Sequence, residues 1–166
     1  MTAIVDPHDA LVGFESALRK GILHLIPVPR HSDLLVHFDE PTPGIIRMTY
    51  VRLTEDSRAV KSLLMCVGNG KIDGYPCMSF GIAVGEPFRN QGLAKQIVKD
   101  VIGELAIQAR DLGYGRYFFE AVIAEDNIAS QRLAQGTIGG VKERITDSAS
   151  GLPALRWTGY VDAAPQ

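Results

Sequence analysis

The stretch Ser79–Lys99, SFGIAVGEPFRNQGLAKQIVK, reads as a strand, a tight loop and a helix. Its apolar run Phe80–Val84 is short and stops at Gly85 and Pro87, as a buried strand does. From Leu93 the apolar residues take on helical spacing.

A helix that begins near Gln91 leaves its first four backbone N–H groups without intrahelical partners, and its aligned peptide dipoles put about half a positive charge there. An anionic phosphate answers both needs. Gly92 has no Cβ, so a diphosphate can approach its amide, and Ala94 is nearly as small at the next contact position. Arg89, Lys95 and Lys99 add cations, and no carboxylate stands between Pro87 and Lys99. Two other phosphate loops are excluded, because neither G-x-x-x-x-G-K-S/T nor G-x-G-x-x-G occurs.

The six residues Arg89-Asn90-Gln91-Gly92-Leu93-Ala94 fit the pattern Q/R-x-x-G-x-G/A and resemble the coenzyme A signature of the GNAT acetyltransferase superfamily. Farther on, Asn127-Ile128-Ala129-Ser130-Gln131-Arg132-Leu133 is similar to the second GNAT signature, an asparagine that opens a short helix. Together the two segments cover about 40% of the chain, from Cys77 to Val141. The resemblance implies an acyl-CoA wedged between two splayed parallel strands, Cys77–Val84 and Tyr117–Ala124. It implies that backbone of Ile82, Ala83 and Val84 pairs with the pantetheine. It places Arg89, Asn90, Gln91, Gly92, Leu93, Ala94 and Lys95 around the pyrophosphate, and Asn127 and Ser130 beside the pantetheine arm and its sulfur. Asn127 is equally suited to be a plain helix cap, and Ser130 to stabilise the helix start.

Two departures bear on catalysis. Many family members carry a tyrosine after the leucine matching Leu133, as acid for the leaving thiolate; this chain has Ala134. Members also often carry a glutamate or histidine where Met78 and Phe80 stand. The remaining candidate base is Glu120, a carboxylate inside the apolar strand YFFEAVIA, where burial favours accepting a proton from an ammonium. Strand alternation can instead turn it to solvent. Ser130 is the candidate hydroxyl for the thiolate. Glu55, Asp73 and His37 lie at loops or strand ends able to rim an acceptor site, and His24 and His31 lie in a Pro-flanked connection.

At 166 residues, 46% apolar and 22% charged, the chain suits one domain, 1–166, with an ordinary core. A net charge of -2 argues against nucleic acid as a partner and against anionic membrane. Cys66 and Cys77 read as buried thiols of a reducing compartment, and no metal quartet is present. No signal-peptide pattern and no run of eighteen apolar residues occurs, so a cytoplasmic protein is expected.

Residues 1–8 are expected to be mobile. Asp9 is the expected cap of a helix Ala10–Lys20, whose Leu11, Phe14, Glu15 and Leu18 share one face and whose stop is Gly21. Strands are expected at Leu34–Phe38, Ile45–Leu53, Ala59–Val67 and Cys77–Val84, with Gly68–Pro76 a mobile rim. A helix about 30 Å long carries Leu93, Ile97, Val98, Val101, Ile102, Leu105, Ala109 and Leu112 on one face, with Glu104 opposite, and ends at Gly113. Because this helix separates Phe80–Val84 from Tyr117–Ala124, those strands are expected to be parallel neighbours. A helix Ile128–Gln135 closed by Gly136 and a hairpin of Val141–Thr146 with Ala154–Val161 complete the chain.

The expected fold is therefore α/β (α+β), a GNAT-like mixed, mostly antiparallel sheet split at a central parallel pair and flanked by helices. The expected function is transfer of an acetyl or related acyl group from acetyl-CoA, the cosubstrate, to an amine by direct attack on the thioester, without a metal. The alternatives are a non-catalytic CoA-binding regulator and an acetyltransferase acting on a protein N-terminus or aminoacyl-tRNA. A homodimer is compatible with either.

Overall fold

A computed structural model describes residues 6–166; the first five residues of the segment expected to be mobile lie outside the described residues. The described elements are α1 (Pro7–Arg19), β1 (Ile26–Pro27), β2 (Leu35–Thr42), β3 (Ile45–Leu53), β4 (Val60–Ile72), β5 (Tyr75–Val84), a 3-10 turn (Glu86–Phe88), α2 (Leu93–Asp111), β6 (Arg116–Ala124), α3 (Ile128–Thr137), β7 (Val141–Thr146) and β8 (Pro153–Asp162). The strands form one sheet in the order β1-β2-β3-β4-β5-β6-β8-β7. β1–β2, β2–β3, β3–β4, β6–β8 and β7–β8 are antiparallel, while β5–β6 is parallel, as the 19-residue helix between them requires.

The chain divides into two compact units. The N-terminal unit runs to Val67 and adds Gly81–Ile97; the C-terminal unit comprises Gly68–Phe80 and Val98–Gln166.

In the N-terminal unit α1 starts three residues earlier than the sequence suggests. Asp6, not Asp9, is the cap: its carboxylate accepts from the His8 N–H at 2.8 Å, and Pro7 occupies the first turn, where no N–H is needed. Asp9 sits inside that first turn, where its charge complements the helix dipole. Leu11 packs with Val51, Val60, Leu63, Met65 and Ala83 in a core cluster flanked by Phe14, Leu25, Leu35 and Leu53. Glu15 joins the apolar face for a reason its chemistry supplies: one carboxylate oxygen accepts from the Val60 N–H at 3.1 Å and the other from Arg19 at 2.6 Å. Gly85 ends β5 where only glycine fits, since a Cβ there would lie 2.6 Å from the Val60 carbonyl oxygen.

In the C-terminal unit the expected mobile rim is a hairpin. β4 continues to Ile72 and β5 begins at Tyr75, joined by Asp73 and Gly74 at φ 50° and 81°, the left-handed pair of a tight turn. Of the three glycines only Gly74 lies in the turn; Gly68 and Gly70 lie within β4. Val98, Val101, Leu105 and Ala109 of α2 are buried as the periodicity requires; Glu104, expected on the polar face, is buried too, and Leu112 lies exposed just past the helix end. α3 runs through Gly136 to Thr137 and ends at the left-handed Gly139 and Gly140. Gly136 does not stop the helix because nothing there demands a left-handed backbone; the demand falls at Gly140, whose Cβ would sit 2.0 Å from the Thr158 carbonyl oxygen. Gly159 is confined in the same way by the Ile138 carbonyl oxygen, at 2.5 Å.

Candidate active site

The loop after β5 belongs to the N-terminal unit. The 3-10 turn Glu86–Phe88 carries the chain off the strand, and Asn90 and Gly92 follow at φ 62° and 75°. The helix starts at Leu93 rather than Gln91, because these left-handed residues cannot be helical; its first bond runs from the Gln96 N–H to the Gly92 carbonyl at 3.1 Å. The first-turn amides are thus those of Leu93, Ala94 and Lys95, with no acidic side chain in that turn. A Cβ on Gly92 would meet nothing within 4 Å, so the glycine serves backbone geometry and leaves space above its amide. Arg89 is exposed and its Nε donates to the Val84 carbonyl at 3.5 Å, back toward the strand end, with Gln91 and Lys95 also exposed. Ala83 is buried, and Ile82 and Val84 half-buried, at the C-terminal end of β5 before Gly85.

The carboxylate Glu120 belongs to the C-terminal unit. β5 and β6 are in register through Cys77↔Phe118, Met78↔Phe119 and Ser79↔Glu120, and Glu120 stands across from Thr158 on β8. Cys77, Ser79, Phe118, Glu120 and Thr158 therefore share one face of the sheet. Phe119, on the other face, stacks on Phe80 at 5.4 Å. Alternation does not turn Glu120 to solvent: it is 8% exposed, and its Oε1 accepts from the Asn69 side-chain amide on the β4–β5 hairpin. Arg156 acts on Glu120 electrostatically while its guanidinium is held by Glu143 at 2.6 Å. The Cys77 thiol is pushed up to about 12, first by burial and then by the Glu120 charge. It stays protonated at neutral pH and is no nucleophile there.

Asn127 is the cap of α3. Its Oδ1 accepts from the Ser130 N–H at 3.1 Å, and the Gln131 side chain ties the preceding turn by donating to the Glu125 and Ala124 carbonyls at 2.8 and 3.2 Å. Ser130 is half-buried in the first turn. Ala134 is 2% exposed, so the position read as the missing tyrosine is a filled packing site rather than an opening.

The remaining candidates do not gather. Glu55 is exposed on the β3–β4 turn and Asp73 at the hairpin tip. His37 binds the His24 carbonyl through Nδ1 at 2.9 Å and packs edge-on to Phe14. The backbone of His31 holds the turn before Leu34. Two surface depressions beside α1, of about 320 and 430 Å³, involve none of these candidates. Among the described residues no helix is long and apolar enough to cross a membrane. Sequence reading missed Asn69 and Arg156; an asparagine between two glycines and an arginine in an exposed hairpin carry no motif.

Among solved structures, the chain is similar to an acetyltransferase of the GNAT family from Streptococcus pneumoniae, with TM-score 0.51 and 11% identity over 69% of this chain and 66% of the other. A Bacillus subtilis acetyltransferase in complex with CoA matches at TM-score 0.49 and 19% identity over 71% and 78%. A putative GNAT-family acetyltransferase from Bordetella pertussis matches at 0.46 and 18% over 68% and 65%. The chain thus has the GNAT fold, with its mixed, mostly antiparallel sheet and one parallel pair. It spans just under two thirds of the Streptococcus pneumoniae chain. No family model and no curated protein matches the sequence.

Proposed function

We propose that the protein is an acetyl-CoA-dependent N-acetyltransferase and that residues 1–166 make one such domain. The observation that carries this reading is a buried carboxylate, Glu120, on the last paired rung of the parallel strands of a GNAT fold. Acetyl-CoA supplies a thioester whose acyl carbon takes the amine nitrogen as the C–S bond breaks and CoA leaves as the thiol. The first-turn amides of Leu93, Ala94 and Lys95, with the open space above Gly92, suit a diphosphate; Arg89 adds a mobile cation, and the left-handed Asn90 brings Gln91 past the strand end. Ile82, Ala83 and Val84 offer strand backbone to the pantetheine amides, and the Asn127 cap leaves its side-chain NH₂ as the group able to donate to a pantetheine carbonyl. Glu120 takes the proton that the ammonium must lose before it attacks, and a backbone N–H near Val84 stabilises the negative charge growing on the acyl oxygen. Ser130, one turn into α3, is the hydroxyl assigned to relay to the departing thiolate the second proton, which the nitrogen still carries after it attacks; the thiolate is only modestly basic.

A non-catalytic CoA-binding role is favoured by one observation, the filled Ala134 position where related enzymes carry their acid. Release of CoA thiol from acetyl-CoA with a panel of small amines, amino acids and peptides separates the two. Turnover with any amine supports the enzyme. CoA binding by calorimetry with no turnover on the whole panel supports the binding role, and no binding at all overturns both.

A further inference from the structure

We infer that Asn69 is the positioning residue of the proton acceptor in this acyl transfer, an inference that rests on the role proposed for Glu120. Glu120 lies inside β6 between the buried Phe119 and Ala121, where a carboxylate without a donor would be costly. The groups that face it from each neighbouring element are few. Ser79 and Thr158 stand across from it on β5 and β8. Cys77 on β5 carries a thiol that stays protonated at neutral pH. Arg156 on β8 is bonded to Glu143 of β7 and acts on Glu120 through its charge alone. The side-chain amide that reaches the carboxylate is Asn69, from the β4 end of the hairpin and 51 residues away in sequence.

The choice of an amide fits the task. A lysine or arginine in its place would hold Glu120 as an ion pair and lower its capacity to take a proton. An amide fixes one oxygen, Oε1, in place with no added charge and leaves Oε2 as the basic oxygen. Gly68 and Gly70 flank Asn69, Gly70 at φ 73°, and a Cβ on either would meet nothing within 4 Å. Gly70 therefore serves the path of the hairpin backbone beside the amide, not its packing.

The test is a steady-state series on Asn69→Ala, Asn69→Gln, Glu120→Gln and the double variant Asn69→Ala/Glu120→Gln. Asn69→Ala is expected to lower kcat by about tenfold, part of the 10² to 10⁴ a positioned base supplies, with KM for acetyl-CoA unchanged. Because the ionised carboxylate loses its donor, the pH at which activity falls on acidification moves up. Asn69→Gln, which keeps an amide within reach, recovers part of both effects. The double variant is no slower than Glu120→Gln alone, since Asn69 acts only through Glu120. A slow Glu120→Gln beside an Asn69→Ala of parental rate and pH profile overturns the inference and leaves the base assignment standing. A Glu120→Gln of parental rate overturns both. Where the parent shows no turnover, carbon-13 NMR titration of the Glu120 carboxyl decides: a midpoint moved to higher pH in Asn69→Ala supports the contact, and an unmoved midpoint overturns it.

Discussion

The loop Arg89–Gly92 and the Glu120 cluster are built by opposite means. In the loop, function rests on the backbone of consecutive residues: two left-handed φ angles and a helix start, within a stretch that any glycine-reading eye finds. In the cluster, four strands contribute one side chain each: Asn69 and Cys77 come from the two arms of one hairpin, while Glu120 and Arg156 lie more than thirty residues from these and from each other. A site made of local backbone is written in a short pattern. A site assembled from side chains across a sheet depends on register, and one residue of slip would turn Glu120 to the other face.

The comparison breaks first if the frame beneath the cluster tolerates bulk. Gly140→Val puts a Cβ at a left-handed φ of 70° and 2.0 Å from the Thr158 carbonyl oxygen, opposite Val141 and next to Glu120 across β8. We expect destabilisation of about 3 kcal/mol or more by denaturant unfolding, with loss of both activity and thiol protection. A variant as stable as the parent would show that the sheet register is looser than the cluster requires. Glu120→Gln is the chemical counterpart: folding intact, acetyl transfer slower by about 10² to 10⁴ in an assay under saturating acetyl-CoA.

The loop is sharpened by separating two reasons for its glycine. Gly92→Asn keeps a residue that visits the left-handed region at low cost, whereas Gly92→Val does not, a difference of about 1–2 kcal/mol in unfolding free energy. Both add a Cβ where the protein itself offers open space. Equal loss of acetyl-CoA affinity in the two, read by calorimetry, identifies close approach to the amide as what matters. Retained affinity in Gly92→Asn identifies conformation alone.

Cys77 gives a smaller, chemical readout of the cluster. Its raised thiol means that the stability it contributes is fully present below its ordinary value of 9.0 and is lost as pH rises through about 12. At pH 8 the native protein should therefore react with a thiol reagent far more slowly than the denatured chain. Fast labelling of Cys77 in the native state would place it outside the buried face that Glu120 occupies.

Legibility followed the same division. Ile45–Leu53 stands as a strand at the bounds its β-branched run implies, the β5–β6 parallel pair follows from the helix that separates it, and the expected hairpin forms around residues 147–152, with Pro153 already paired to Thr146 as the first residue of β8. What escaped was set by contacts beyond the window of a pattern. Gly136 looked like a helix stop, but the constraint lies at Gly140 because Thr158 is there. The Gly68–Pro76 stretch looked loose, yet strand pairing extends through it. Asp9 looked like a cap because Pro7 was not read as a first-turn residue, which moved the cap back to Asp6.

The smallest effect tests whether assembly, rather than the unit it occurs in, hides a polar contact from the sequence. The N-terminal unit has its own assembled pair: Arg52 on β3, with a side chain 5% exposed, donates through Nε to Asp33 at 2.9 Å, and Asp33 is 65% exposed. The hydrogen bond from Arg52 holds the Asp33 carboxyl below its ordinary 3.8, against a smaller opposing effect of burial. A carboxylate held low contributes stability above its unfolded value and loses it as pH falls through the folded one, so the contribution is full at neutral pH and fades below about pH 3.8. Exposure limits it to the surface-pair range of about 0–1 kcal/mol. Asp33→Asn keeps an acceptor for Arg52 and removes the titration, so unfolding measured between pH 6 and pH 2.5 should show a shallower acid decline than the parent, by a few tenths of a kcal/mol. Identical acid limbs would mean that Arg52 is held by its other neighbours and that Asp33 is a surface residue with no part in the frame.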